Sequence, residues 1–169
     1  FFINTKIENN CYKWLDNFHH LKKNCYAKEK WIKKSKSYKV FTDKNGFRFS
    51  GNEKGRYKKE KTAFFFGGSF TYGMGVSFED SFVGLIEKSK KDYNILNLGV
   101  AGYSPTVFSY QLDELIKKDI NPNKIFLVLD IIDVYNEATN WKIKENTSKP
   151  ININSIPNAD TSEKKFKNF

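Results

Sequence analysis

Histidine is almost missing from this chain of 169 residues. The two present, His19 and His20, are neighbours far from any other candidate chemistry. That scarcity leaves few groups that titrate near neutral pH. No His/Cys/Asp cluster has ligand spacing, so neither a metal nor a cofactor is expected. An initiator Met is lacking, and so is any apolar run long enough to span a bilayer. The opening Phe1-Phe2-Ile3 fits the tail of a removed anchor or signal segment, or an arbitrary cut. Membrane anchoring upstream of residue 1 therefore stays open. Only two cysteines occur, Cys11 and Cys25. With Trp14, Leu15, Phe18 and Leu21 they recur at helical spacing, which predicts an amphipathic helix over residues 8–26. A continuous helix would set the two sulfurs about 21 Å apart along its axis. A bridge needs Cα atoms about 5–6 Å apart. Either the helix breaks or the cysteines are packed thiols, and the redox compartment stays open.

Acidic residues are the minority charge: 19 Asp+Glu against 29 Lys+Arg, a formal net of +10. The excess is nearly all Lys and is spread along the chain, with no stripe or motif, so no nucleic-acid partner is expected. Hydrophobic residues at 39% and aromatics at 17% are too abundant for a disordered chain, and the length suits one domain with a modest core.

Three regions follow from pattern. Residues 1–61 read as an N-terminal helix and hairpin extension. Ser37–Thr42 and Phe47–Phe49 alternate like strands around Asn45-Gly46, a type I′ turn signal. Residues 62–137 read as the front half of an α/β domain. Ala63-Phe64-Phe65-Phe66, Ile95-Leu96-Asn97-Leu98 and Ile125–Leu129 are strands. The first of these runs, Ala63–Phe66, reads as a strand buried on both faces, as in a parallel sheet. Between them lie helices over Glu79–Lys90, with Phe78, Phe82, Leu85 and Ile86 on one face, and from the Ser104-Pro105 cap to Asn121. The expected fold is a three-layer α/β/α sandwich on a parallel, flavodoxin-like sheet. Three strands make it incomplete, with an uncovered edge, so the chain looks truncated at its C-terminal side. Residues 138–169 lose periodicity and read as a polar loop or disordered tail, in which Asn146-Thr147-Ser148 matches a glycosylation sequon.

In open α/β sheets the carboxyl ends of strands carry ligand sites. Three loops end strands here: Gly67–Gly73, Gly99–Ser104 and Asp130–Asp133. The first puts Ser69 after two glycines, which allow a sharp turn and close approach of a substrate. Exposed N–H groups at the start of the next helix can receive an oxyanion. The loop is not a Gly-x-Ser-x-Gly elbow, since Thr71 replaces the second glycine, nor a phosphate loop, since no Gly-Lys follows.

Gly67-Gly68-Ser69-Phe70-Thr71-Tyr72-Gly73 with Gly75-Val76, and Leu96-Asn97-Leu98-Gly99-Val100-Ala101-Gly102-Tyr103, resemble the first two blocks of the SGNH/GDSL hydrolase superfamily. Thr42-Asp43-Lys44-Asn45-Gly46-Phe47-Arg48 is similar to a segment upstream of the domain in bacterial members. The resemblance covers residues 40–137. It implies a flavodoxin-like SGNH hydrolase fold, Ser69 as nucleophile, and an oxyanion hole of the Ser69 N–H, the Gly102 N–H and a third donor. For that donor Asp133 stands nearest the family's Asn, with Asn136 as the alternative one turn on. It further implies a location in the cell envelope or periplasm.

The chain departs from the pattern in three places. Gly68 replaces the family's Asp. Asp133 would repel a developing oxyanion unless protonated, where one lost donor already costs about 2.7–4 kcal/mol. The C-terminal Asp-x-x-His has no counterpart, and a serine without a base is a poor nucleophile. Two functions are therefore expected as alternatives. One is a serine esterase or O-acyltransferase that acts on an acylated carbohydrate or lipid through an acyl-enzyme. The other is a catalytically inactive SGNH-like glycan-binding module, a pseudoenzyme. The partner is a small-molecule or glycan ester in either case.

Overall fold

A computed structural model describes residues 10–15, 18–144 and 147–153. The opening Phe1-Phe2-Ile3, Asn146 of the sequon and the tail from residue 154 lie outside these residues.

The N-terminal segment is a hairpin, not a helix. Strands β1 (Tyr12–Leu15) and β2 (Phe18–Leu21) pair antiparallel, Tyr12 opposite Leu21. Cys11 and Cys25 form a disulfide across its base, with Cα atoms 5.7 Å apart. Lys22 N–H donates to Cys11 O at 2.7 Å and closes the ribbon. The apolar repeat from Cys11 to Cys25 suits a helix, but spacing alone does not fix the element. Packing decides it. Phe18 meets Tyr103, Tyr110 and Trp141 edge-on or tilted, at 5.9–6.5 Å between ring centres.

β3 (Tyr26–Glu29), β4 (Tyr38–Thr42) and β5 (Arg48–Phe49) follow as antiparallel neighbours. The hairpin at Asn45-Gly46 forms, but the turn is wider than type I′. Gly46 alone takes a positive φ, of 89°. Asp43 Oδ1 closes the loop by accepting from the N–H groups of Asn45 and Phe47 at 2.8 and 3.0 Å. Then come β6 (Lys61–Gly67), the four-residue helix α1 (Ser69–Tyr72), a 3₁₀ turn at Phe78–Asp80, α2 (Phe82–Ser89), β7 (Tyr93–Asn97), α3 (Pro105–Ile116), β8 (Lys124–Val128) and α4 (Ile131–Asn140). A small hairpin of β9 (Trp141–Ile143) and β10 (Pro150–Asn152) forms where an irregular tail is expected.

The fold class differs from the parallel flavodoxin-like sandwich. One six-stranded mixed sheet runs β3-β4-β5-β7-β6-β8. Only β6 with β7 and β6 with β8 are parallel; β3·β4, β4·β5 and β5·β7 are antiparallel. The apolar run of β6 correctly marks a strand buried on both faces, but burial says nothing about the direction of a neighbour. The side of β7 away from β6 is taken by β5, which pairs Arg48 with Asn97.

The two sheet faces carry separate cores. Ala63, Phe65 and Ile95 pack with Phe78 and Val83 beneath α2. Phe64, Phe66, Leu96 and Leu98 pack with Val107 and Phe108 of α3, and with Phe18 and Leu21 of the N-terminal hairpin. Each buried ring contributes roughly 1.5–3 kcal/mol. α2 starts at Phe82, later than expected, because Ser81 Oγ accepts from Gly84 N–H and caps it there. At α3, Ser104 stands at the cap position but makes no capping bond. Glu137 of α4 supplies the acceptor, taking Thr106 N–H at 3.0 Å and the hydroxyls of Ser104 and Thr106 at 2.6 Å each. Burial opposes its charge, but these three donors outweigh that and hold its carboxyl below the usual range. Edge strand β8 is half uncovered on both faces, with Ile125, Phe126 and Leu127 at 44–53% exposure.

Reducing the Cys11–Cys25 bridge should destabilise the chain by about 3 kcal/mol, since it closes a loop of 14 residues' separation. Urea unfolding of the Cys11→Ser/Cys25→Ser variant measures this. An unchanged midpoint would mean the bridge staples nothing.

Candidate functional site

Ser69 is the first residue of α1, directly after β6. It is half-buried, and among the described residues its hydroxyl makes no hydrogen bond. The glycines before it serve packing. A Cβ on Gly67 would collide with the Thr71 side chain, and one on Gly68 with Asp133 Oδ1. Neither takes a positive φ, and neither has space for a side chain.

The loop after β7 meets this turn. Val100 N–H donates to Gly67 O at 3.1 Å. Asn97, fully buried, donates from Nδ2 to Thr71 O at 2.8 Å and accepts from Gly99 N–H at 2.9 Å. Gly99 lies so close to Thr71 and Tyr72 that no side chain fits there. Further along, Gly102 has φ 81°, is exposed, and its carbonyl accepts from Trp141 Nε1 at 2.9 Å. The preceding Ala101 carbonyl is 2.7 Å from His19 Nε2.

The third loop closes the group. Asp133 is buried at the third position of α4, in a reciprocal capping box with Asp130. Its carboxyl accepts from Asp130 N–H at 3.3 Å and from Gly68 N–H. Burial is the main cause that raises its pKa; those two N–H groups pull the other way. In this arrangement both donors point at Asp133, which acts as an acceptor. Asn136, one turn on, is also buried, and its Oδ1 accepts from Asn140 at 2.7 Å. The second and third strand-end loops thus touch the serine turn at Gly67, Thr71 and Gly68, with Asp133 beside Gly68. Neither histidine is hydrogen-bonded to Ser69. Both sit on β2, where burial holds them neutral: His19 is lowered, and His20 is pushed down to about 4 by burial, His19 and Lys13.

Pattern reasoning missed the residue that holds the serine turn. Arg48 is fully buried. Its guanidinium donates to the carbonyls of Tyr72, Gly73 at 2.6 Å, Val76 at 2.5 Å and Lys39 at 3.4 Å. It lies over the rings of Tyr72 and Tyr38, 4.6 and 5.6 Å from their centres. The only signal was a charge between two aromatics in Phe47-Arg48-Phe49. A cavity of about 280 Å³ opens between β2, α3 and the β7 loop, lined by Phe18, Leu21, Val100, Tyr103, Gln111 and Leu115 among others; Ser69 is not in its wall. Among the described residues no group of three or more His, Cys, Asp or Glu could hold a metal ion, and no helix is long and apolar enough to cross a membrane.

A family model, Protein of unknown function (DUF1574), matches residues 27–159. The chain belongs to that family. No curated protein matches it. The DUF1574 stretch begins within β3 and takes in all three site loops. The β1–β2 hairpin, with both histidines, precedes it.

Gly68→Ala should cost about 1–3 kcal/mol by collision with Asp133. In the Gly68→Ala/Asp133→Ala double variant part of that loss should return, a coupling of about 1 kcal/mol or more in urea unfolding. Additive losses would show that the two residues do not meet.

His20 generates a pH dependence. Its folded pKa, about 4, lies below the ordinary 6.5. Its contribution is therefore complete above about pH 6.5 and is lost as pH falls towards 4. Wild type should lose more stability over that window than His20→Asn, in parallel urea titrations. Equal slopes would place His20 in water.

Proposed function

We propose that this domain carries the nucleophile half of an SGNH-type serine esterase or O-acyltransferase, acting on an acylated carbohydrate or lipid. Ser69 is the nucleophile; its own N–H and that of Gly102 receive the oxyanion. The reading is supported by the contact of the other two loops with the turn that carries a half-buried serine whose hydroxyl is unengaged among the described residues. Val100 N–H on Gly67 O, Asn97 on Thr71 O and Asp133 on Gly68 N–H fix the serine turn from two directions. In such a reaction Ser69 Oγ would attack the ester carbonyl, expel the alcohol and hold the acyl group until water or a sugar hydroxyl takes it. The disulfide fits an oxidising compartment such as the cell envelope or periplasm.

A second reading has its own observation. The chain's two histidines are on β2, and His19 spends Nε2 on Ala101 O. Without a base at Ser69, the same scaffold would bind an acylated glycan and not turn it over.

A fluorophosphonate probe decides between them. In the folded full-length protein it should label Ser69, and Ser69→Ala should abolish the label. A folded protein that takes up no probe, yet binds acylated glycan equally well with Ser69→Ala, is the binding module.

A further inference from the structure

We propose that His19 is a positioning residue, whose ring N–H holds the Ala101 carbonyl and thereby aims the Gly102 N–H. The role of that N–H as an anion donor rests on the function proposed above; the aiming itself does not.

The argument starts from the peptide bond. The Ala101 C=O and the Gly102 N–H are two ends of one planar trans unit and point in opposite directions. Whatever fixes the carbonyl fixes the N–H. The carbonyl has no proton to give, so the ring nitrogen 2.7 Å from it, Nε2, must carry the hydrogen. One tautomer follows, with Nδ1 bare in the neutral ring. The ring itself has little freedom. Tyr12, Trp14 and Tyr103 surround it at 5.4–5.7 Å between centres, and Tyr103 OH donates to the His19 backbone carbonyl at 2.7 Å. The next peptide is held too, by Trp141 Nε1 on Gly102 O. Two consecutive carbonyls are thus tied down by groups from β2 and β9. Among the described residues the Gly102 N–H finds no acceptor, and Gly102 is exposed. A hydrogen bond accepted by a peptide carbonyl also strengthens the N–H of the same peptide as a donor. His19 would therefore set both the direction and the strength of a donor left open for a ligand. It does so from a hairpin outside the stretch that matches the family, stapled by Cys11–Cys25.

The test compares the full chain with His19→Phe, which keeps a flat ring but loses the N–H, and His19→Gln, whose side-chain amide reaches a similar position. ¹⁵N-labelled protein gives the Gly102 amide signal and the ring tautomer of His19; a fluorophosphonate gives the labelling rate of Ser69. Expected are a hydrogen on Nε2 in wild type, and a displaced Gly102 signal with labelling at least about ten-fold slower in His19→Phe. His19→Gln should restore both. A hydrogen on Nδ1 in wild type overturns the proposal, and this measurement needs no variant to fold. So does a Gly102 signal unmoved in folded His19→Phe. If wild type takes up no probe, the esterase reading fails, and the Gly102 signal alone still judges His19.

Discussion

The guanidinium of Arg48 is a full charge taken out of water with no carboxylate in ion-pair contact among the described residues. Burying a charge is expensive unless every hydrogen finds a partner. Here Nη1 and Nη2 find backbone carbonyls, two of them where α1 ends, while the buried Nε has no partner among the described residues. Arg48 belongs to β5, the short strand that joins the antiparallel and parallel parts of the sheet through Asn97. One side chain therefore finds these acceptors only if β4, β5 and the serine turn are all in place. Asn97 repeats that logic on the opposite side of the turn, donating to Thr71 O. The position of Ser69 is thus set by two buried polar residues from neighbouring strands, while the Ser69 hydroxyl contributes nothing to the network.

The strands marked by apolar runs were legible. Three apolar runs marked β6, β7 and β8, and the helices between them were found within a few residues. What pattern could not supply was partnership. Phe64–Phe66 announces a strand covered on both faces, yet nothing in it says that β7 will lean on an antiparallel β5. The stretch from Cys11 to Cys25 shows the same limit, because its repeat fits a helix until a disulfide and Phe18's contacts choose a hairpin. The candidate site was legible where it is made of loops after strands. It was illegible where a side chain crosses the molecule: Arg48 to Tyr72 and Gly73, Asp133 to Gly68, Glu137 to the start of α3. Arg48 and Glu137 are charged residues that pattern assigns to solvent, and Asp133 was expected as an oxyanion donor, not as the acceptor for Gly68 N–H.

Glycine has an unexpected part in this. None of Gly67, Gly68 and Gly99 takes a positive φ, and all are required for closeness, because Thr71, Asp133 and Tyr72 occupy the space where a Cβ would go. The absence of a carboxylate at position 68 and the presence of one at 133 are then a single fact of packing. The acid that stands beside the serine turn arrives from α4 instead of from the turn.

The tyrosines give the interior an optical consequence. Tyr12, Tyr38 and Tyr72 crowd around Glu29, whose carboxylate accepts from Tyr38 OH at 3.2 Å and Tyr72 OH at 3.0 Å. Burial raises all three phenols, Tyr38 to about 12, and raises Tyr57 and Tyr103 as well. A phenol with a raised folded pKa favours the fold below pH 10 and turns against it above. These rings stay un-ionised in alkali for as long as the chain stays folded, and ionise together when it opens. Phenolate absorbance is therefore a built-in gauge of the intact core, read without any label.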